Sequence, residues 1–161
     1  MAVDMFLKLD GIKGESQDAK HKDEIHIESF SWGMAQTGSF GTGGGGGAGK
    51  VSIHDISVTK NVDKSSPELM LACCNGKHIS SGLITVRKAG EKPLEYMKIK
   101  LTDILISGVQ DAGHGGGDTL TENLTLNFAQ FQVEYQPQGP DGSAQGGPVL
   151  MGWNVKQNQK V

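Results

Sequence analysis

Hydrophobic and polar residues alternate with a period of two along much of the chain, which is the pattern of half-buried β-strands. In the segment Val3–Leu9, apolar side chains fall on one face and Asp4 and Lys8 on the other, although Phe6 breaks the alternation. Similar patterns predict further strands at residues 83–88, 94–109 and 149–155, and the sequence leaves open a break in the second of these near Asp103.

The alternation changes parity inside three long predicted strands. In one of them, apolar residues at Ile25 and Ile27 are followed by one at Phe30. The same change occurs within residues 51–58 and within residues 124–135. Because side chains alternate strictly across a strand, a change of parity requires a bulge, a sharp bend or burial of both faces. Bulges and strong twist allow antiparallel sheets to close, so we predict a mainly β fold, a small antiparallel β-barrel.

One segment carries the signals of a short α-helix. Pro67 and Glu68 suit the first turn, where a missing N–H costs nothing and the helix dipole favours an acid. The spacing of Ser65 and Glu68 is that of a capping box, whereas Pro67 favours Ser66 as the cap, and the sequence leaves both open. Gly76 supplies a C-terminal stop. We expect this helix to flank the barrel on one side.

The composition is that of one globular domain over residues 1–161, since 36% of the residues are hydrophobic and 24 are glycine. The formal charge of −3 argues against a nucleic-acid partner, which requires a dense basic patch. Apolar runs of only a few residues predict no direct insertion into a membrane. The N-terminal residues lack the pattern of a secretory signal peptide, and the adjacent Cys73 and Cys74 are typical of reduced thiols. We therefore expect a protein made in the cytoplasm and exported, if exported, without a leader.

The glycine-rich tract between Gly43 and Lys50 approaches a phosphate-binding loop without completing one. Gly44, four further residues and Gly49-Lys50 match that loop, but Val51 stands where a serine or threonine would bind magnesium. The next residues continue as a strand, whereas a phosphate loop has to open a helix. We interpret the tract as an extended loop whose glycine backbone bends freely.

No group of residues has the spacing of a catalytic or metal site. No histidine stands at metal-ligand spacing from a cysteine or another histidine, and no Gly-x-Ser-x-Gly elbow occurs. The histidines are His21, His26, His54, His78 and His114. We therefore expect no enzymatic activity, no metal and no cofactor.

Small polar residues form a possible water-facing surface. Ser29 and Ser31 alternate with Phe30 and Trp32, so aromatic rings that fill the core would leave the serines outside. Such a face usually means only solvation, but it is also compatible with a water-filled passage formed by several copies. The glycine-rich loop around His114 has the composition of a mobile loop, and a plain strand connection is the simpler interpretation.

Motifs in a fixed order along essentially the whole chain resemble the haemolysin-coregulated protein (Hcp) family. They stand at residues 1–8, 14–16, 31–33, 43–50, 63–65, 76–78, 120–123, 126–130 and 152–154. Their combination is far more specific than any one of them. The resemblance implies a small β-barrel with one flanking helix, which forms homohexameric rings that stack into the type VI secretion tube.

The resemblance also implies partners and positions. A contractile sheath propels the tube, a spike protein caps it, and effector proteins are carried or chaperoned inside the rings. Export then delivers the protein to the extracellular space or a target cell. Ser31 and His114 are expected to face the lumen, and the loop at residues 39–50 to reach the next ring. The loop residues expected at that contact are Ser39, Phe40, Gly43, Gly44, Gly45, Gly46, Gly47 and Lys50.

Two other interpretations are open at the level of sequence. A monomeric β-barrel that binds a small ligand predicts a large apolar interior and no self-association, for which Ser29 and Ser31 give no sign. An enzyme built on the loop at residues 43–50 predicts saturable binding of ATP and magnesium, which we do not expect.

Overall fold

The computed structural model describes residues 2–38 and 49–161. The strands are β1 (Val3–Leu9), β2 (Ile25–Ile27), β3 (Ser29–Ser31), β4 (Met34–Ala35), β5 (Ser52–Ile53), β6 (Ile56–Asn61), β7 (Ile79–Lys88), β8 (Glu95–Ala112), β9 (Thr121–Tyr135), β10 (Val149–Asn154) and β11 (Gln159–Lys160). The helix is α1 (Ser66–Asn75). The predicted fold class, mainly β with one short flanking helix, is confirmed.

The main sheet is antiparallel and curls around one core. Its strands run in the order β11-β10-β9-β8-β7-β1-β2. The long strand β9 is bordered by β8 along one edge and by β6 and then β10 along the other. β2 pairs with β1 while β3 pairs with β6, so the short segment from Ile25 to Ser31 connects the two ends of the curved sheet.

The predicted parity changes fall at interruptions or changes of partner. β2 and β3 are separated by Glu28, whose amide donates to the carbonyl of Thr59 at 2.8 Å. His54 and Asp55 separate β5 from β6, and β9 continues unbroken while its neighbour changes from β6 to β10. The strand β8 is also continuous, with Asp103 in a left-handed conformation at a φ of 56°. The break that the sequence left open there does not occur.

Helix α1 lies against the sheet through its apolar side. Leu69 and Ala72 are buried in the main core, and Gly76 ends the helix in the left-handed conformation with a φ of 66°. Ser65 occupies the N-cap position, but its side chain makes no capping hydrogen bond. Instead, the Ser66 hydroxyl accepts the amide of Asp63 at 3.1 Å. The sequence left open whether Ser65 or Ser66 is the N-cap. Ser65 has that position in the backbone, although its side chain does not cap the helix.

The interior of the described fold is filled by aliphatic and aromatic side chains. Eighteen buried residues form one continuous cluster, drawn from both halves of the curved sheet and from α1. Trp32 packs edge-to-face on Phe128 and Phe131, with ring centroids 5.9 and 4.8 Å away. This aromatic cluster lies where β9 exchanges β6 for β10 as its neighbour.

Candidate functional site

Ser31 belongs to a continuous row of small polar residues across three strands. It pairs with Ser57 on β6, which pairs in turn with Thr125 on β9. A second row follows the same register through Ser29, Thr59 and Asn123. We call these six residues the polar face. The opposite side of the same strands carries Val58 and Leu124, both fully buried, so the alternation that fills the core also turns the polar face toward solvent.

Hydrogen bonds fix the side chains on and beside the polar face. The Thr59 hydroxyl donates to Asn123 Oδ1 at 2.8 Å. Asp55 accepts the Ser107 hydroxyl at 2.7 Å and the Asn127 amide at 2.8 Å. The Ser107 hydroxyl has one proton, which it donates to Asp55. Its oxygen therefore accepts a hydrogen bond from the Thr125 hydroxyl at 2.9 Å. The result is a hydrogen-bonded surface with a carboxylate at one end.

Sequence reasoning found Ser29 and Ser31 but missed the other four residues of the polar face. Their signal is present in the alternation of the neighbouring strands, where polar Ser57, Thr59, Asn123 and Thr125 occupy every second position. The register between strands has no such local signal. Only the pairing of β6 with β9 makes a row from residues that are distant in the chain.

His114 lies beyond the end of the polar face, in the connection between β8 and β9. All residues of that connection are exposed, and the Gly117 amide donates to the His114 carbonyl at 3.1 Å. The ladder between β8 and β9 ends at Ala112 and Thr121, about 13 Å along β9 from Thr125. His114 thus lies in the loop that leads into β9, one of the three strands of the polar face.

Most of the glycine-rich loop lies outside the described residues. The positions expected for Ser39, for Phe40 and for the glycines at 43–47 therefore stay predictions. Lys50 is described, and it is exposed in the segment that precedes β5. A strand, β5, follows this lysine as predicted, whereas a phosphate-binding loop would open a helix at that place.

An apolar edge lies on β10. Val149, Leu150 and Met151 are exposed by 63%, 68% and 45%, although neighbours in a strand point to opposite faces. Among the described residues, β11 pairs with Trp153 and Asn154 alone, so the first half of β10 has a strand, β9, on one side only. We call residues 149–151 the apolar edge. Within the described part of a single subunit, both of its faces lie in water.

A strap covers the outer face of β1 and β7. The strap is residues 10–24, which connect β1 to β2, and it buries Phe6 to 3% exposure on the side of β1 opposite the core. The His21 ring stacks on Phe6 with centroids 4.3 Å apart. The Arg87 guanidinium, 5.1 Å from the same ring centre, pairs with Asp18 at 2.6 Å and Asp4 at 3.1 Å. No pattern in the sequence pointed to this cluster.

Acid should weaken the contact between the strap and β7. The hydrogen bond from Arg87 holds the pKa of Asp18 well below its ordinary value of 3.8. A carboxyl group with a depressed pKa in the folded state stabilises the fold fully above that ordinary value, and this stabilisation is lost as the pH falls through the folded pKa. Asp18→Asn should therefore flatten the dependence of unfolding free energy on pH below about pH 4, measured by urea unfolding. An unchanged slope would show that Asp18 does not control acid stability.

No group of three potential ligands among His, Cys, Asp and Glu comes together in the described part of the chain. The one helix there is too short to cross a bilayer. Cys73 is half-buried and Cys74 exposed, with no disulfide between them. What the described surface offers is thus the polar face, the apolar edge and the strap.

Comparisons with known proteins agree with the resemblance in the sequence. A family model described as "Type VI secretion system effector, Hcp" matches residues 6–135. Protein hcp1 of Pseudomonas aeruginosa is 57% identical over 159 residues, which is 98% of both chains. The chain belongs to the Hcp family. It is a type VI secretion tube protein, a structural and secreted component of that system.

Solved structures support the same assignment for this Hcp chain. Hcp1 from Salmonella typhimurium superposes with a TM-score of 0.84 at 36% identity and covers 100% of both chains. A second structure, of "a type six secretion system protein", gives a TM-score of 0.93 at 30% identity over 99% of this chain and 100% of the other. A type VI secretion system effector from Yersinia pestis gives 0.78 at 34% identity, over 94% of this chain and 100% of its own.

Proposed function

We propose that this Hcp chain is a ring subunit, six copies of which close around a water-filled lumen in which effector proteins travel. The rings stack into a tube through the loop at residues 39–50, and a spike protein and a contractile sheath act on that tube. The chain itself catalyses no reaction. The apolar edge carries this proposal, because residues 2–38 and 49–161 of a single subunit leave it in water.

Exposed strand edges with apolar side chains are a hazard that soluble monomers avoid with charges, bulges or prolines. Pro148 precedes the apolar edge, but the edge itself carries no charge: Val149, Leu150 and Met151 follow one another, and exposed apolar patches of this kind mark interaction sites. We assign this edge to a second copy of the chain, since the family is that of a tube built from repeated subunits. Cyclic closure then limits sideways growth.

The polar face suits the wall of the lumen. Its hydroxyl and amide groups are small and offer hydrogen bonds without an apolar surface, and one pair, Thr59 and Asn123, is fixed by a mutual hydrogen bond. Soluble cargo is then held weakly and can leave. In this proposal Ser31 stands at the wall and His114 at its rim, beyond the end of the same strands.

Enlarging Ser31 should reduce cargo without breaking the ring. In Ser31→Gln the longer side chain projects from β3 into the lumen, and we expect roughly tenfold less effector protein to co-purify with rings from the source bacterium, about 1.4 kcal/mol. Ser81→Gln, at an exposed β7 serine outside the polar face, is the matched control and should carry cargo normally. Electron microscopy with negative stain reports the rings.

Light scattering at micromolar concentration tests the ring itself. A mass near six subunits together with annular particles supports the proposal, and a strictly monomeric species without annular particles contradicts it. Should Ser31→Gln abolish the rings, Ser31 belongs to the contact between subunits and not to the lumen wall.

A further inference from the structure

Both ring nitrogens of the buried His21 face carboxylates. Nδ1 lies 2.9 Å from Glu24 Oε2 and Nε2 lies 2.6 Å from Glu95 Oε1, and the residue is only 6% exposed. An ionised carboxylate only accepts hydrogen bonds, and a neutral imidazole has a single N–H to donate. Both contacts are therefore satisfied together only when His21 carries a proton on each nitrogen.

The surroundings of His21 favour that positive charge. Four carboxylates and two cations surround His21 and the Phe6 ring on which it stacks, and they come from the strap, β1, β7 and β8. They are Asp18 and Glu24 on the strap, Asp4 on β1, Arg87 on β7, and Glu95 and Lys98 on β8. His26 of β2 touches the edge of Phe6 from 5.8 Å. A proton on His21 thus reduces an excess of negative charge.

The positive charge of His21 is one of the influences that lower the pKa of Glu95. Burial opposes its ionisation, but the hydrogen bond and charge of His21, together with Lys98, hold the pKa of Glu95 below its ordinary value. The ionised Glu95 carboxylate is therefore the acceptor that faces Nε2 of His21.

The strap is attached to the sheet beneath it at two places. At its start, the Asp10 amide donates to the Ser81 carbonyl of β7 at 3.0 Å, and Asp10 Oδ2 accepts the Ser80 hydroxyl at 2.7 Å. Farther along, its ion pairs to the sheet are those of Asp18 with β7 and of His21 with β8. The contact of His21 with β8 is the one that depends on the imidazolium.

We propose that His21 is a proton-operated latch on the strap. The imidazolium closes the strap over Phe6, and loss of one proton turns a ring lone pair toward a carboxylate, so the strap loosens as the pH rises. The sign follows from the charge: stabilisation by His21 is complete while the imidazolium persists and is lost as it deprotonates. The latch does not depend on ring assembly, although the strap leads directly into β2 and β3, which carry Ser31.

Hydrogen exchange and NMR on the full chain test the latch together. Exchange of residues 10–24, corrected for the intrinsic effect of pH, should rise about tenfold between pH 6 and pH 8.5, the effect of one lost charge-assisted hydrogen bond. Exchange in α1 should stay constant. The ¹⁵N shifts of His21 should show two protonated nitrogens at pH 6, and the midpoint of their titration should coincide with the midpoint of exchange.

Variants separate the latch from simple packing. His21→Phe keeps an aromatic ring on Phe6 but carries no charge, so the strap should exchange fast at every pH. Glu95→Gln removes one facing charge and should move the midpoint to lower pH even where His21→Phe does not fold. His78→Phe, which removes an exposed ion pair with Asp103, is the control and should leave the strap unchanged. A single protonated ring nitrogen at pH 6, or strap exchange that ignores the titration of His21, would overturn the proposal.

Discussion

Replacing Lys60 with methionine should cost about 3–5 kcal/mol of unfolding free energy at neutral pH, the usual loss when one partner of a buried ion pair is removed. Lys60 and Glu122 have no exposed side-chain surface, and Nζ lies 2.7 Å from Glu122 Oε1. The same ammonium contacts Asp63 at 3.1 Å and Ser66 at 3.2 Å, at the start of α1. Methionine fills the space but leaves the Glu122 carboxylate buried without its counter-ion.

The loss should shrink as the pH falls. Burial raises the pKa of Glu122 above its ordinary 4.5, an effect to which Asp111 adds and which Lys60 and Ser66 oppose. Without Lys60, Glu122 takes up a proton more readily on folding. A carboxyl whose pKa is raised on folding gains stability as the pH falls through the raised value, so the deficit of Lys60→Met is greatest at neutral pH.

Urea unfolding at one fixed protein concentration measures this effect, because assembly would otherwise add concentration-dependent stability. Lys64→Met changes an exposed lysine and should alter the unfolding free energy by less than about 0.5 kcal/mol. The double variant Lys60→Met with Glu122→Leu should recover most of the loss, since no charge is then buried. A deficit below about 1 kcal/mol in the single variant would mean that water or a rearranged neighbour compensates Glu122.

Placing a charge on the apolar edge should abolish the ring. Leu150 is 68% exposed in the subunit, and burying a leucine contributes about 1.5–3 kcal/mol per contact. Leu150→Asp removes that contribution and buries a carboxylate, so each subunit contact should weaken by roughly a hundredfold or more. Sedimentation velocity should then find monomers at concentrations where the unchanged chain is assembled.

Leu71→Asp is the matched control for this variant. Leu71 is 62% exposed on α1, so the substitution adds the same charge at a similarly exposed leucine away from the apolar edge. The control should assemble normally, and both variants should unfold at the same urea concentration as monomers. Rings that persist in Leu150→Asp would remove the apolar edge from the contact between subunits.

Local pattern predicted most of the strands, though not β11, and it did not predict what covers them. The alternation of Val3–Leu9 placed Leu7 and Leu9 in the core correctly, whereas Phe6 looked like a fault in the pattern. It is buried by the strap, a segment without regular structure and therefore without periodicity to read. Cover supplied by an irregular segment leaves no local signal in the strand it covers.

Buried charge was visible only as a fault in the alternation. Lys60 continues the buried face of Val58, and Glu122 continues that of Leu124, so each strand has a charged residue at a core position, although a lysine in a strand is ordinarily solvated. Their burial depends on the pairing of β6 with β9, which sets them directly opposite each other. The same pairing sets Ser57 and Thr59 of β6 beside Thr125 and Asn123 of β9 in the polar face. One long-range register therefore determines both a structural ion pair and the candidate site.

The parity changes gave more information about the shape of the sheet than any single motif did. Glu28, between β2 and β3, marks a bend at which the segment changes its pairing partner from β1 to β6. Ser31 follows three residues later, so the bend also sets its direction. The function, by contrast, came from motifs in a fixed order, because no residue of the polar face has chemistry that identifies a tube.

Electron cryo-microscopy of the purified chain tests most directly whether this protein acts by self-assembly around a lumen. We predict closed six-membered rings in which Ser31, Ser57 and Thr125 follow one another along the inner wall and the apolar edge is covered by the neighbouring subunit. Rings with the polar face on the outside, or single subunits at every concentration, would contradict the account.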